Sequence, residues 1–282
     1  LYERGWYTGL PKPLLNRPPG PISANFKLFV RESAGDAYVT TDGSDPRGSD
    51  GNPASSAKQF KTPRVESTPM LDPPYQASVW VPTHGRHDDI WNQSGFKDED
   101  WIKQQTEGIG FDVKPEYRNL IDFDLLDSMH DITTTAYIRI PFQLSKGLVS
   151  QFDAFALKMK YDDGFIAYLN GKQIASDNAP DHPNWRSAAI ADHADKKAVN
   201  YVSFSADIRM EDIKEGTNLL AVHGMDGPAS SDFLISPSLE GVRFIGGDAI
   251  PLASGTTNTI KVRIFQDGKW SPLLTANYEV TP

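Results

Sequence analysis

Asp162-Asp163-Gly164 sets two carboxylates side by side where glycine lets the backbone turn sharply. Hard oxygen donors suit calcium, which takes carboxylate and carbonyl ligands, and Asp232 is expected to join the pair in a structural calcium site. The same aspartates equally suit a β-turn, in which Asx side chains bond neighbouring backbone groups. A second group surrounds Trp185. Asn178, Asp181, His182, Asn184 and Arg186 lie beside it in a polar segment that also holds Pro180 and Pro183. One aromatic face with amide, carboxylate and guanidinium hydrogen bonds is the pattern that holds a sugar. A tryptophan folded back as a plug over the end of the fold would read the same way.

Catalytic groups are scarcer, and no catalytic residue is expected. Of the 6 histidines, His84 and His87, in His84-Gly-Arg-His87-Asp88-Asp89, have the density of a ligand set. They lack the i, i+4 helical spacing of a metalloprotease zinc site, so a solvated loop is expected. No nucleophile elbow, phosphate-binding loop or dinucleotide fingerprint occurs. With no cysteine in the chain, disulfides, thiolate catalysis and cysteine-ligated zinc are excluded. A net charge of −9 and no basic run longer than Lys196-Lys197 argue against a nucleic-acid partner. No apolar run approaches the length of a membrane span.

The elements that must position these residues are strands. Phe155, Leu157, Met159 and Tyr161 alternate with Ala156, Lys158 and Lys160, the period of a half-buried strand. Asp162-Asp163-Gly164 is expected to turn it into Phe165-Ile-Ala-Tyr-Leu169, and Asn170-Gly171 is a strong two-residue hairpin signal, so an antiparallel meander is predicted. Phe26 to Val30, Ala37 to Thr41, Gln76 to Val81, Tyr137 to Phe142, Tyr201 to Ile208 and Asp232 to Leu239 also read as strands. Pro141 suggests an edge or a bulge. A helical turn is expected in Asp122 to Met129, and Trp91 and Trp101 are expected to pack in the core. Asp42 and Asp45 are expected to close a turn through their own side chains. At 282 residues, 39% hydrophobic and 23% charged, the chain suits one large or two ordinary globular domains.

Tyr161-Asp-Asp-Gly-Phe-Ile-Ala-Tyr-Leu-Asn-Gly171, Asn178-Ala-Pro180, Asn218-Leu-Leu-Ala-Val-His-Gly224 and Ser230-Ser-Asp-Phe-Leu-Ile235 together resemble a galactose-binding-like jelly-roll module of large secreted bacterial proteins. The resemblance runs from about Trp80 to Leu239. Such proteins often carry a spore-coat-kinase-like (CotH) domain, lamin-tail domains and chitobiase-C-terminal-like sandwiches. Tyr38-Val-Thr-Thr-Asp-Gly-Ser-Asp-Pro-Arg47 resembles small fibronectin-type-III-like sandwiches attached to bacterial glycosidases and surface proteins. The continuation of that pattern, Ile250-Pro-Leu252, Thr259 to Phe265 and Ala276 to Val280, arrives only near the C-terminus. Neither fragment has strands enough to close a sandwich core.

The fold class expected is therefore all-β. A discontinuous fibronectin-like sandwich, residues 1–65 with 246–282, is interrupted by a galactose-binding-like jelly roll at 66–245. Residues 1–21, rich in Pro and Gly, read as an entry linker. The chain opens Leu1-Tyr-Glu-Arg, without initiator Met or signal peptide, and reads as an excised piece of a longer protein whose kinase-like domain would precede Leu1-Tyr2. The resemblance implies a secreted or cell-surface bacterial location, neighbouring domains of the same parent chain as partners and, in many such folds, a structural calcium. The function expected is non-catalytic attachment to a glycan or cell-surface polysaccharide. The alternative is a spacer that braces an adjacent kinase-like or lamin-tail domain.

Overall fold

The computed structural model describes residues 9–24, 26–31, 35–204, 208 and 212–281. Leu1-Tyr2 and Ala206 lie outside them. The chain divides into two compact units, residues 1–66 with 243–282 and residues 67–242. Both are built almost wholly of strands.

In the first unit, β1 (Gly20–Ser23), β2 (Asp36–Thr40) and β3 (Lys58–Phe60) come from the early segment, and β16 (Thr257–Gln266), β17 (Lys269–Trp270) and β18 (Leu274–Thr281) from the late one. They form one sheet in the order β1-β18-β16-β2-β3, with β17 paired to β16. Val39 lies opposite Val262 and Tyr38 opposite Arg263. Ile22, Val39, Val262, Ile260, Ala276 and Tyr278 bury one face of this sheet against Leu28, Val30 and Ile250. The expected strand Phe26 to Val30 is instead irregular, held by the isolated bridges Leu15↔Val30 and Leu28↔Ile250 and by bonds between Asn16 and the backbone of Lys27 and Phe29. The Asp42–Asp45 corner follows Asx chemistry: Asp42 Oδ1 accepts from the Ser44 N–H at 2.9 Å and Asp45 Oδ1 from the Arg47 N–H at 2.9 Å. Arg263 then grips Asp45 with two bonds of 2.8 Å, a fork that ties the late segment to the early one.

The second unit runs through β4 (Arg64–Leu71), β5 (Tyr75–Trp80), β6 (Ile102–Thr106), β7 (Ile109–Asp112), β8 (Phe123–Asp124), α1 (Leu126–Met129), β9 (Thr135–Leu144), β10 (Ala154–Asp162), β11 (Gly164–Leu169), β12 (Lys172–Asp177), α2 (Asp195–Ala198), β13 (Val202–Phe204), β14 (Gly216–Met225) and β15 (Asp232–Ile245). One sheet is ordered β13-β10-β15-β7-β8, with β4 on β15; the other is β12-β11-β14-β9-β5-β6. Their inner faces share one core. Leu157, Met159, Tyr161, Phe111, Phe233 and Ile235 come from the first sheet, and Ile138, Ile140, Phe165, Leu220 and Val222 from the second. Burying each such side chain contributes ~1.5–3 kcal/mol, and alternation puts every second residue of these strands inside. The molecule is all-β, and this unit is a two-sheet sandwich wound in the jelly-roll manner, its strands switching repeatedly between sheets.

Two expectations are corrected here. β10 and β11 are not hairpin partners: β10 pairs with β13 and β15, β11 with β12 and β14. At Asp163 the chain crosses from one sheet to the other, because Tyr161 and Phe165 both point into the shared interior and meet there edge to face, centroids 4.9 Å apart. Pro141 marks no edge. β9 lies inside its sheet between β14 and β5, but the pairing with β5 ends at Arg139, so on that side Pro141 has no ladder bond to lose.

Candidate functional site

The outer face of the first sheet of the sandwich gathers carboxylates. Asp112 stands directly opposite Asp232 across β7 and β15. Asp162 stands opposite Leu234, two residues on from Asp232, so all three side chains leave the same face. The segment after β7 and the short helix α2 fold over them, with Tyr117 and Ala198 packing on Leu234. From these covering segments come Glu116 and Asp195, which with Asp232 present one carboxylate oxygen each, all within 4.8 Å of one another. None of these five acids pairs with Lys or Arg among the described residues.

The environment of each acid differs. Asp112 Oδ2 accepts from the Glu116 and Tyr117 N–H groups at 2.9 and 2.8 Å, while its Oδ1 is buried without a hydrogen-bond partner. Asp162 Oδ2 is in the same condition. Burial pushes the Asp162 carboxyl up to about 10, with Asp163, Asp232 and Asp195 adding to the rise. Asp232 is raised mainly by burial. Glu116 is raised by its contact with Asp195.

Asp163, expected as a metal ligand beside Asp162, faces elsewhere. Its Oδ1 accepts from the His193 N–H at 2.8 Å and its Oδ2 from the Gly227 N–H at 2.9 Å. Its carbonyl accepts from Asn178 Nδ2 at 3.0 Å. One residue thus closes both ends of the loop between β12 and α2, and bonds to a charged acceptor contribute ~1.5–3 kcal/mol each. Asp226, close by, also accepts from Gly227, and burial lifts its carboxyl to about 8. Of the three expected ligands the fold brings Asp162 and Asp232 onto one face and turns Asp163 to the loop. Asp112, Glu116, Asp195 and Asp226 were not singled out in sequence because they come from four separate segments with no shared spacing.

The same loop carries Trp185 to the outer face of the other sheet. There Trp91 stacks on Tyr137 at 4.3 Å, and Trp101, Leu219 and Ala221 complete a buried aromatic layer against which Trp80, Phe96, Tyr168 and Trp185 pack. Trp91 and Trp101 are buried, as their size suggested, but in this outer layer, outside the space between the sheets. Asp88 holds the arrangement, accepting from Tyr137 Oη at 2.8 Å and from the Trp185 N–H at 3.3 Å. The Trp185 indole also lies against Gly85, where an added Cβ would come within 2.6 Å of it. Over its ring sits the Arg186 guanidinium, 4.3 Å from the centroid. Asp181, His182, Asn184 and Arg186 are exposed around it, while Asn178 is half-buried and engaged with Asp163. Asn184 Oδ1 caps the turn by accepting from the Arg186 N–H at 2.9 Å. His84 and His87 lie with Trp80 on the same layer, rings 5.1 Å from it.

No protein-family model matches the chain. No curated protein matches it either. Among solved structures it is similar to β-glucuronidase 2 from Bacteroides uniformis, at 14% identity and a TM-score of 0.38, over 76% of this chain and 26% of that one. An uncultured Clostridium β-glucuronidase gives 13% identity and 0.36, over 73% and 34%. A Ruminococcus gnavus β-glucuronidase gives 8% identity and 0.36, over 77% and 46%. The chain therefore spans between 26% and 46% of the length of these structures. No helix among the described residues is long and apolar enough to cross a membrane.

Proposed function

We propose that the protein is a non-catalytic accessory region that attaches a larger, exported bacterial protein to carbohydrate at the cell surface. The observation that carries this reading is the fixed, exposed loop around Trp185. Asp163 closes the loop at both ends, Asp88 holds its middle, and four polar side chains stand in solvent beside the indole. A site ordered before its ligand arrives loses little conformational freedom on binding. Stacking of a pyranose on the indole requires Arg186 to swing off the ring. An exposed cation–π contact of this kind contributes only ~0.5–1 kcal/mol, and the freed guanidinium then donates to sugar hydroxyls.

The close fit of Trp185 on Gly85, under Arg186, favours a second reading, in which the indole seals the sandwich and the region only spaces neighbouring domains. Affinity electrophoresis through gels holding a panel of bacterial and plant polysaccharides separates the two. Retardation of the wild type that is abolished in Trp185→Ala is the expected result. Retardation equal in both proteins would remove the platform, and free migration in every gel would leave the spacer.

A further inference from the structure

We infer that Glu116, Asp195 and Asp232 bind one divalent cation of the calcium class, which fastens the segment after β7 and helix α2 to the outer face of the sandwich. Calcium takes oxygen ligands at ~2.3–2.6 Å, so its coordination shell is ~5 Å across. Three carboxylate oxygens all within 4.8 Å of one another fit around a single ion of that size.

An acidic group alone would not decide the matter, since acids collect on the surface of a chain with 37 Asp and Glu. The deciding observation is the layer beneath. Asp112 and Asp162, only 1% and 2% exposed, leave the strand face beside Asp232 and each holds one oxygen with no hydrogen-bond partner. A buried polar oxygen left without a partner costs ~1–3 kcal/mol, and no lysine or arginine reaches these two carboxylates among the described residues. A divalent ion supplies the charge that the sequence omits. The three donors come from the segment after β7, from α2 and from β15, so they converge only once the fold has formed, and binding stabilises the folded state. A donor set drawn from several loops and strand ends suits calcium, with its tolerant geometry, better than magnesium, which demands an octahedron. The site is independent of whether Trp185 meets a sugar.

Terbium, a calcium mimic that luminesces when a nearby tyrosine is excited, is the probe, because the buried Tyr117 lies among these carboxylates. The full chain, stripped with EDTA, is expected to give saturable luminescence that calcium displaces and magnesium does not. Millimolar calcium is expected to raise the melting temperature above its value in EDTA. The surface double variant Glu116→Gln/Asp195→Asn is expected to keep its melting temperature in EDTA and to bind calcium roughly tenfold or more weakly. Tyr117→Phe is expected to bind calcium but lose the luminescence. Equal melting temperatures with calcium and with EDTA, or luminescence unchanged in the double variant, would overturn the assignment.

Discussion

Arg139 lies on the outer face of β9, 5% exposed, and organises the loop that brings the tryptophans onto the sheet. Its guanidinium donates to Asp98 Oδ2 at 3.0 Å and to the carbonyls of Trp91, Gln93 and Phe96. Replacement by methionine keeps the volume and strips those groups of their donor, so a loss of about 3 kcal/mol in urea unfolding is expected, and lysine should recover little because it has no planar fork. Two titrating groups give a second prediction. His223 is enclosed beside Tyr137, and burial drives it down to about 3 from 6.5. The unfolded chain takes up that proton first, so its share of stability is present above 6.5 and lost as pH falls toward 3. Asp226 runs the other way, raised to about 8 from 3.8, so its share is present below 3.8 and lost as pH rises through 8. Between 3.8 and 6.5 the two slopes oppose each other, and above 6.5 Asp226 acts alone. Melting curves across pH should show His223→Gln flattening the acid limb and Asp226→Asn, which keeps an acceptor for Gly227, flattening the alkaline one. Variant curves parallel to the wild type would refute both assignments. Neither residue is marked by its sequence: His223 and Asp226 look like ordinary polar positions until the surrounding strands enclose them.

Among the elements, the β11–β12 hairpin was legible because Asn-Gly accepts the left-handed backbone its turn needs, and Asn170 and Gly171 have φ of 52° and 92°. Gly171→Ala should destabilise by ~1–2 kcal/mol, through that backbone and through the contact its added Cβ would make with the Gln93 side chain. Asn170→Gly separates turn from tether. Glycine fits the same φ, but Asn170 also accepts from the Leu219 N–H at 3.0 Å and donates to Asp212 O and Asn218 Oδ1, each at 2.9 Å. A loss of ~2–3 kcal/mol in Asn170→Gly is therefore expected, with the hairpin retained by NMR; an unchanged midpoint would mean those bonds contribute nothing. The corner one strand earlier was misread for a physical reason. Asp162-Asp163-Gly164 satisfies the local rules for a tight turn, yet the same three residues serve a crossing between sheets, and only the inward-facing Tyr161 and Phe165 distinguish the cases. The acidic face was half legible. Adjacent aspartates attract notice, whereas Glu116 and Asp195 reach it from covering segments whose contacts no local pattern encodes.

For the whole chain, the first unit's sheet is assembled from two distant segments. Reading across it, β18 and β16 from the late segment are flanked by β1 and β2 from the early one, and among the described residues the early segment pairs with itself only at β2–β3 and at the single bridges Leu15↔Val30 and Arg47↔Pro53. Two short strands do not make a stable fold in water, and Val39 and Ala37 would have no Val262 or Ile264 to cover them. Residues 1–66 expressed alone are therefore expected to give the collapsed amide dispersion of an unfolded chain. The same residues joined to 243–282 by a short Gly/Ser linker in place of the sandwich are expected to fold. Residues 67–242 hold both sheets and their shared core, short only of the first three residues of β4 and the last three of β15, so they should unfold in one cooperative transition by themselves. A dispersed spectrum from 1–66 alone would show that β16 and β18 are not needed. The fragments also sort the functional readings, because Trp185, Asp163, Glu116, Asp195 and Asp232 all fall within 67–242. Terbium luminescence and polysaccharide retardation should therefore travel together with that fragment, and loss of either one on excision would place part of its chemistry in the flanking unit.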